Sequence, residues 1–448
     1  MTVVVRFAPS PTGYLHAGNA RIALVNGLFA RAQSGRFILR LDDTDRARVK
    51  PEYVAAIAED LHWLGLDWRQ DDELRQSDRL AHYEHAIARL RAAGRLYPCY
   101  ETASELEAKR RIQTAAHRPP VYDRAALKLT ESDRARLESE GRKPHFRFML
   151  QHRRVGFDDL VRGPIEIDEA SQSDPVLVKE DGTVLYTLAS VVDDIDMAVT
   201  HVIRGEDHIT NTGTQIQLFE ALGATVPAFA HLSLLLGADG QPLSKRLDAL
   251  SLRNLRAAGT EPLALDALLA RLGTGAPVEP VTAIEELVAG FDLARFGKAP
   301  ARFDPAELTA LSARTLGVMP FENAGPRLAA LGLDEASEAF WLAVRSNLAR
   351  LDDAKDWWAV CRGPLAPIME DAVFTEAAAA ALPPEPWDNA IWGAWTKALG
   401  ASSGRKGKAL FHPLRLALTA RGDGPAMADL LPLIGRARAE KRLRGETA

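Results

Sequence analysis

Near its start the chain is forced out of regular structure by Ala8-Pro9-Ser10-Pro11-Thr12-Gly13, in which two prolines and a glycine fall close together. Proline locks φ and offers no N–H, so this stretch is neither helix nor central strand. Before it lies Val3–Phe7, strand-like by its β-branched residues. After it an apolar pattern with helical spacing runs from about Asn19 through Ile22, Leu24, Val25, Leu28 and Phe29. A strand feeding a tight irregular loop and then a helix N-terminus is the opening unit of a parallel α/β sheet. Ligands of such sheets bind outside the carboxyl ends of the strands. Arg6 stands at that end, and the loop delivers His16-Ala17-Gly18-Asn19 to the helix start.

The same rhythm continues. A second strand, Phe37–Leu41, runs into Asp42-Asp43-Thr44-Asp45, and Val54, Ile57, Leu61 and Leu64 form one helical stripe. From about Tyr97 to Ile167 the character changes to an inserted α+β module. It has charged helices at Ser104–Thr114 and Ser132–Glu140, a break at Pro119-Pro120, and strands at Phe146–Leu150 and Val155–Val161. The α/β pattern then returns with strand Val184–Thr187, helix Ala189–Asp194, strand Val199–Ile203, a helix over Thr210–Leu222 and strand Leu232–Leu236 before the turn Asp239-Gly240. Beyond about Leu263 the reading has no strands, and helices dominate, among them Glu338–Leu351, Asn389–Leu399 and Met427–Leu443.

A chain of 448 residues should hold two to four domains. The expected fold is α/β: a split Rossmann domain with an α+β insertion, then an all-α C-terminal region. The net charge is −5, yet from Ala401 onward ten Lys/Arg face four Asp/Glu, so the preceding residues carry −11. An acidic body with a basic end suits a protein that meets a polyanion at chosen places, although a solvated helical tail fits the same count. Met1 leads straight into Val3-Val4-Val5 with no basic and apolar leader, and no apolar run approaches the ~20 residues of a bilayer span. Cys99 and Cys361 are too few and too distant for a disulfide framework. A cytoplasmic location without membrane contact is expected.

An anion at the start of the first helix gains from the helix dipole and its free N–H groups. His16 adds a donor, and Gly18 lets a nucleotide approach the backbone. By itself this four-residue pattern is weak, and a plain turn reads the same. The phosphate-binding pattern G-x-x-x-x-G-K-[ST] is absent, so ATP would not be held by a P-loop.

Read together, Arg6–Arg21 (R-F-A-P-S-P-T-G-Y-L-H-A-G-N-A-R) closely resembles the signature of the bacterial glutamyl-tRNA synthetases, a family of class I aminoacyl-tRNA synthetases. The likeness carries on through R-L-D-D-T-D-R (Arg40–Arg46), W-L-G-L-D-W (Trp63–Trp68), Y-P-C-Y (Tyr97–Tyr100), Y-T-L-A-S-V-V-D-D (Tyr186–Asp194) and V-I-R-G-E-D-H-I-T-N-T (Val202–Thr212). Leu243–Arg246 (L-S-K-R) is similar to the KMSKS-type loop, and Gly404–Thr419 resembles the anticodon-binding region.

The resemblance implies a first catalytic half over 1–95, an acceptor-stem insertion over 96–183 and a second catalytic half over 184–240. It places the KMSKS-type loop and a stem-contact domain over 241–310, and a helical anticodon-binding region over 311–448. The implied reaction joins L-glutamate to tRNA(Glu), tRNA(Gln) or both by way of a glutamyl-adenylate made from ATP. No enzyme nucleophile is needed, so catalysis would rest on positioning and on stabilising phosphate charge. The motif Ala8-Pro9-Ser10-Pro11-Thr12-Gly13-Tyr14-Leu15-His16-Ala17-Gly18-Asn19 would line the site. His16, Asn19 and Lys245 are the expected catalytic residues. ATP would be met by His16, Gly18, Asn19, Glu206, His208, Leu243, Ser244, Lys245 and Arg246, with Mg²⁺ arriving on the nucleotide. Glutamate would be met by Arg6, Ala8, Ser10, Asp42, Tyr186 and Arg204, since guanidinium groups grip a carboxylate with parallel hydrogen bonds and the α-ammonium needs an anion. A plainer reading makes Arg204 an ion-pair partner of Glu206 or Asp207. Arg405, Lys406, Lys408 and Arg415 would meet tRNA phosphates.

The chain departs from the family at three points. Asp42 stands where Glu is usual, and Pro242 stands where most relatives have the first lysine of their KMSKS-type loop. Cys99 has no cysteine neighbours, so the zinc site of some relatives is not expected, and no metal ligands are assigned; His82 and His85 read as surface or packing residues. Trp357, Trp358, Trp387, Trp392 and Trp395 fit either base stacking or helix packing, with packing the commoner use. A helical C-terminus argues against a glutaminyl enzyme, and its length against truncated paralogues that modify a tRNA base. A non-catalytic tRNA-binding paralogue rests on Pro242 alone. A monomer is expected.

Overall fold

The structure, a computed structural model, describes residues 2–45, 47–241, 243 and 250–448. These form two compact units, one of residues up to Leu255 with 268–278 and 284–304, the other of 256–267, 279–283 and 305–448.

The first unit opens with β1 (Val4–Phe7), α1 (Ala17–Ala32), β2 (Arg36–Leu41), α2 (Pro51–Trp63), β3 (Glu73–Arg75) and α3 (Leu80–Ala92). The three strands are parallel in the order β1-β2-β3, Val5 facing Phe37 and Leu39 facing Glu73. Leu24, Val25 and Leu28 of α1 are fully buried, each burial worth roughly 1.5–3 kcal/mol. The inserted stretch supplies β4 (Leu96–Cys99), α4 (Ala103–Ala115), α5 (Glu131–Ser139), β5 (His145–Phe148), β6 (Arg154–Asp159), β7 (Gly163–Asp168) and β8 (Val176–Val178). The second half of the α/β unit follows as α6 (Tyr186–Asp196), β9 (His201–Gly205), α7 (Ile209–Ala221), β10 (Ala228–Leu232) and β11 (Leu235–Gly237).

β4, β5 and β8 make an antiparallel sheet of their own, but the β6–β7 hairpin joins the returning strands in the order β7-β6-β10-β9. The insertion thus shares a sheet with the second α/β half. The two halves of that fold meet edge to edge: the Thr200 N–H donates to the Val4 carbonyl at 2.9 Å and the Val4 N–H to Thr200 Oγ1 at 2.8 Å. Asn26 of α1 adds a side-chain donation to the Ile203 carbonyl at 3.1 Å, behind β9.

Several expectations change. The strand expected at Leu232–Leu236 is broken at Ser233-Leu234, where β10 ends and β11 begins, and the helix expected over Glu338–Leu351 stops at Val344. The strand expected at Val184–Thr187 is a single bridge from Val184 to Val178, and helix α6 starts at Tyr186, placing that phenol at a helix N-terminus. Strands also reappear after Leu263. Beyond the short helices α8 (Leu252–Ala257), α9 (Pro262–Arg271) and α10 (Ile284–Ala289), β12 (Ala301–Phe303) pairs parallel with β11, a three-residue run too short to show in a periodicity. Met427–Leu443 is two helices, because Gly435 takes φ +79° between them.

The second unit is helical, with α11 (Pro305–Val318), α12 (Phe321–Ala330), α13 (Glu338–Val344), α14 (Ala354–Arg362), α15 (Ala372–Ala380), α16 (Ile391–Ser403), α17 (Lys408–Thr419), α18 (Met427–Ile434) and α19 (Arg436–Leu443). Trp341, Trp357 and Trp395 are buried in its core, and Trp358, Trp387 and Trp392 pack half-buried against it. Helix packing, not an exposed stacking platform, is the main use of these rings. Trp341 Nε1–H is satisfied by the Met319 carbonyl at 2.8 Å.

Gly424 lies under Trp357 with φ +123°, and a Cβ there would sit 2.2 Å from the indole Cη2. We predict that Gly424→Ala lowers the unfolding free energy by roughly 1–3 kcal/mol, through backbone strain and overpacking. Urea denaturation of the full chain followed by tryptophan fluorescence measures this, and an unchanged midpoint would refute it.

Candidate active site

One open cleft of about 1360 Å³ lies at the carboxyl ends of β1, β2 and β9, and its walls include Arg6, Ala8, Ser10, His16, Gly18, Asn19, Asp42, Tyr186, Arg204, His208 and Leu243. All six residues expected to meet glutamate therefore share one space with most of those expected to meet ATP.

His16 is the N-cap of α1. Its Nδ1 accepts the Gly18 N–H at 3.1 Å, while Asn19 Oδ1 accepts the His16 N–H at 3.4 Å. Burial pushes the imidazole below its ordinary pKa, so the ring is neutral near pH 7. A neutral ring whose Nδ1 accepts must carry its hydrogen on Nε2. The cap thus turns His16 into a fixed Nε2–H donor. The expectation of free N–H groups at this helix start needs correction, because Ala17 N–H is taken by the Leu250 carbonyl and Gly18 N–H by His16 itself. Gly18 has a second reason to lack a side chain: a Cβ would lie 2.9 Å from His16 Cε1.

The cationic wall is built from buried charges. Arg6 Nε donates to Asp194 Oδ1 at 3.0 Å, and Arg40 Nη1 donates to the same oxygen at 2.7 Å. Arg40 also holds Asp42 with Nε at 2.8 Å and Nη2 at 3.3 Å, which orients the carboxylate at the cleft edge. Burial raises the Asp42 carboxyl to about 6, against the pull of Arg40. Behind them Asp193 collects Gln76, Arg79 and Tyr83. The outer nitrogens of Arg6 have no hydrogen bond among the described residues, so the end of its fork is open to the cleft.

Arg204 is held differently. Its Nε donates to His231 Nε2 at 3.2 Å, Nη1 to the Tyr186 hydroxyl at 3.2 Å and Nη2 to Thr212 Oγ1 at 2.8 Å. The ion pair to Glu206 or Asp207 is not formed among the described contacts. Glu206 instead binds Arg162 of the β6–β7 turn and accepts the Leu234 N–H, between β10 and β11, at 2.8 Å. Ser244, Lys245, Arg246 and Pro242 lie outside the described residues.

Of the residues expected to meet tRNA, Lys406 and Lys408 are exposed. Arg405 is half-buried, pairing with Asp371 at 2.6 Å and lying 4.2 Å over Phe374, and Arg415 donates to the Pro425 carbonyl at 2.8 Å. Cys99 is buried beside the Tyr122 hydroxyl, and His82 pairs with Asp196 at 2.8 Å. Among the described residues no cluster of three or more His, Cys, Asp or Glu could hold a metal ion, and no helix is long and apolar enough to cross a membrane.

Residue-by-residue reading missed Asp194, Arg40, His231 and Asp159. The available signal was charge placed inside otherwise apolar elements: Arg40 in F-I-L-R-L, Asp193-Asp194 closing a helix of small and branched residues, His231 in A-F-A-H-L.

The chain matches the family described as tRNA synthetases class I (E and Q), catalytic domain, over residues 2–310, and an anticodon binding domain over residues 370–446. It is 61% identical to Glutamate--tRNA ligase 1 of Parvibaculum lavamentivorans over 446 residues, covering 99% of each chain. It is 59% identical to Glutamate--tRNA ligase 2 of a Methylobacterium species, covering 100% of each. The crystal structure of a glutamate tRNA ligase from Elizabethkingia meningosepticum, in complex with its amino acid, superposes with a TM-score of 0.84 at 28% identity, covering 99% of this chain and 98% of that one. The split parallel sheet, the capped histidine turn and the matched length agree, and the chain belongs to the class I tRNA synthetases of the E and Q family.

Proposed function

We propose that this chain is a glutamate–tRNA ligase, joining L-glutamate to the 3′ end of tRNA through a glutamyl-adenylate made from ATP. The observation that carries the reading is the convergence of Arg6, Arg204 and the His16 Nε2–H donor on one cleft, beside a carboxylate, Asp42, held by Arg40. The side-chain carboxylate of glutamate meets the open fork of Arg6 and the remaining Nη1 hydrogen of Arg204. Its α-ammonium faces Asp42 and the Ser10 loop. Its α-carboxylate then attacks the α-phosphate of ATP and pyrophosphate leaves. The terminal ribose hydroxyl of tRNA attacks the resulting acyl carbon and AMP leaves. His16 donates to phosphate oxygens where charge grows. Asn19, Gly18, His208 and Leu243 shape the nucleotide side, and Ser244, Lys245 and Arg246 are assigned to the departing phosphates. Mg²⁺ enters with the nucleotide and supplies charge neutralisation there.

In the same reading, residues 96–183 take the acceptor stem and 311–448 the anticodon arm. Lys406 and Lys408 are the free phosphate contacts, and Arg405 and Arg415 shape the surface that presents them. Residues 1–95 and 184–240 form the catalytic halves, with 241–310 joining them to the stem. Aminoacylation of purified tRNA(Glu) and tRNA(Gln) side by side tests the function and sorts the tRNA set; charging of neither would refute it.

Arg204→Ala should lower kcat/KM for glutamate by roughly thirtyfold or more, the cost of deleting one partner of a buried charge contact, with KM for ATP within about twofold. Pyrophosphate exchange with tRNA present measures both; unchanged glutamate kinetics would remove Arg204 from the site. The raised Asp42 carboxyl gives a pH dependence with a definite sign. As pH falls through about 6 the group takes a proton and loses its charge for the ammonium. Glutamate kcat/KM should therefore fall, approaching tenfold per pH unit well below that point. Asp42→Asn should be low and flat over the same range; a wild-type profile flat from pH 5 to 7 would refute the contact.

A further inference from the structure

We propose that Asp159 and His231 are a buried positioning pair that gives Arg204 a neutral acceptor in place of a direct carboxylate partner and thereby sets the preference for an acid side chain over its amide. This rests on reading the cleft as a glutamate site. The pair lies on β6 and β10, behind Arg204 of β9, and both side chains are fully buried.

The chain of hydrogen bonds has one consistent assignment. Asp159 Oδ1 accepts backbone N–H groups from Val161 at 2.9 Å, Arg162 at 2.8 Å and His231 at 3.3 Å, which marks it as an ionised acceptor. Its Oδ2 lies 2.6 Å from His231 Nδ1, so that nitrogen carries the hydrogen. The ring is neutral, burial holding its pKa below the ordinary value, and Nε2 is left as a lone pair that faces Arg204 Nε–H and the Thr212 hydroxyl, each at 3.2 Å. Phe229 stacks 9° from parallel with the ring at 6.2 Å and fixes its plane.

The electrostatic consequence is a contrast between two arginines on neighbouring strands. Arg6 is backed by a carboxylate, Asp194. Arg204 is backed by neutral acceptors only: His231 Nε2, the Tyr186 hydroxyl, Thr212 Oγ1 and the His208 carbonyl. Arg40 lies between Asp42, Asp194 and Asp193 and Arg6 binds Asp194, whereas among the described residues no carboxylate touches Arg204: Asp159, the one behind it, is held off by the neutral ring of His231. A carboxylate ligand supplies the guanidinium of Arg204 with its direct anionic partner; an amide leaves that contact unmade in a buried setting. Asp159 therefore acts through a ring, fixing a tautomer, and touches no substrate.

Asp159→Asn tests this with little change of shape. The asparagine oxygen can still accept the three backbone N–H groups, but its amide now donates to Nδ1 and drives the hydrogen to Nε2, against Arg204 Nε–H. Such a swap gives the wrong tautomer with the geometry kept. Pyrophosphate exchange with tRNA should show glutamate KM up on the order of tenfold or more, as for a lost hydrogen bond to a charged group. KM for ATP should stay within about twofold, and glutamate's advantage over glutamine in competition should narrow. ¹⁵N–¹H spectra of histidine-labelled protein, with His231→Asn for assignment, should show an Nδ1–H ring in wild type and an Nε2–H ring in the variant. Unchanged glutamate KM with a flipped ring overturns the proposal. So does a matched rise in both KM values together with a lower melting midpoint. A wild-type ring protonated on Nε2 overturns it even if the variant fails to fold. If wild type shows no saturable dependence on glutamate, the functional reading falls with it; if it does and only the variant behaves as wild type, this inference alone falls.

Discussion

A single carboxylate oxygen of Asp194, on the helix that opens the second half of the catalytic unit, accepts from Arg6 and Arg40 of the first half at 3.0 and 2.7 Å. All three side chains are at most 4% exposed, so none can turn to water if a partner is lost. Buried charges of this kind add little net stability over an apolar packing of the same volume, yet removing one partner is expensive, and that asymmetry fixes geometry. The insertion separates the two halves by some ninety residues of sequence, and this contact reunites them. Arg40 passes the constraint on to Asp42, and Arg6 is left with only its outer nitrogens open to the cleft.

Around that anchor the site is assembled by satisfying backbone groups first. The histidine turn is a helix cap: by accepting the Gly18 N–H, His16 settles its own tautomer and leaves Nε2–H as a donor at the cleft wall. His231 follows the same logic behind Arg204, with a carboxylate on one side of the ring in place of a backbone N–H. In both cases one nitrogen of a neutral imidazole is held by its partner, and that sets whether the other donates or accepts. Preorganisation of this sort suits a reaction in which the protein supplies no nucleophile and works by placing donors where charge develops.

The helical unit is organised by burial of large rings, and its charged surface is the remainder. Trp341 and Trp395 are almost wholly enclosed, and Arg405 is drawn to Asp371 and Phe374, which caps and covers the start of α15. Composition near the C-terminus shows a basic surplus, but which of those cations reach solvent depends on the acids and carbonyls that folding brings to them. Lys406 and Lys408 remain exposed, at the turn before α17 and at its first residue.

Legible in the sequence were the α/β opening with its first strand, loop and helix, the prolines that force a loop after β1, the histidine and glycine at the head of α1, and the family to which these residues belong. Such features are local: propensity, φ restriction and capping act within a few residues and leave a readable pattern. Where local pattern misled, tertiary pairing had overridden it, as at Tyr186, which begins a helix, and at Ala301–Phe303, a strand made only by its partner β11. Folding alone settles that Arg6 and Arg40 share Asp194, that Glu206 pairs with Arg162, and that Arg204 rests on His231, which rests on Asp159. Those choices are made between residues tens to nearly two hundred positions apart, because a buried charge or polar group takes whichever partner the fold carries within hydrogen-bond reach, and sequence spacing holds no record of that distance.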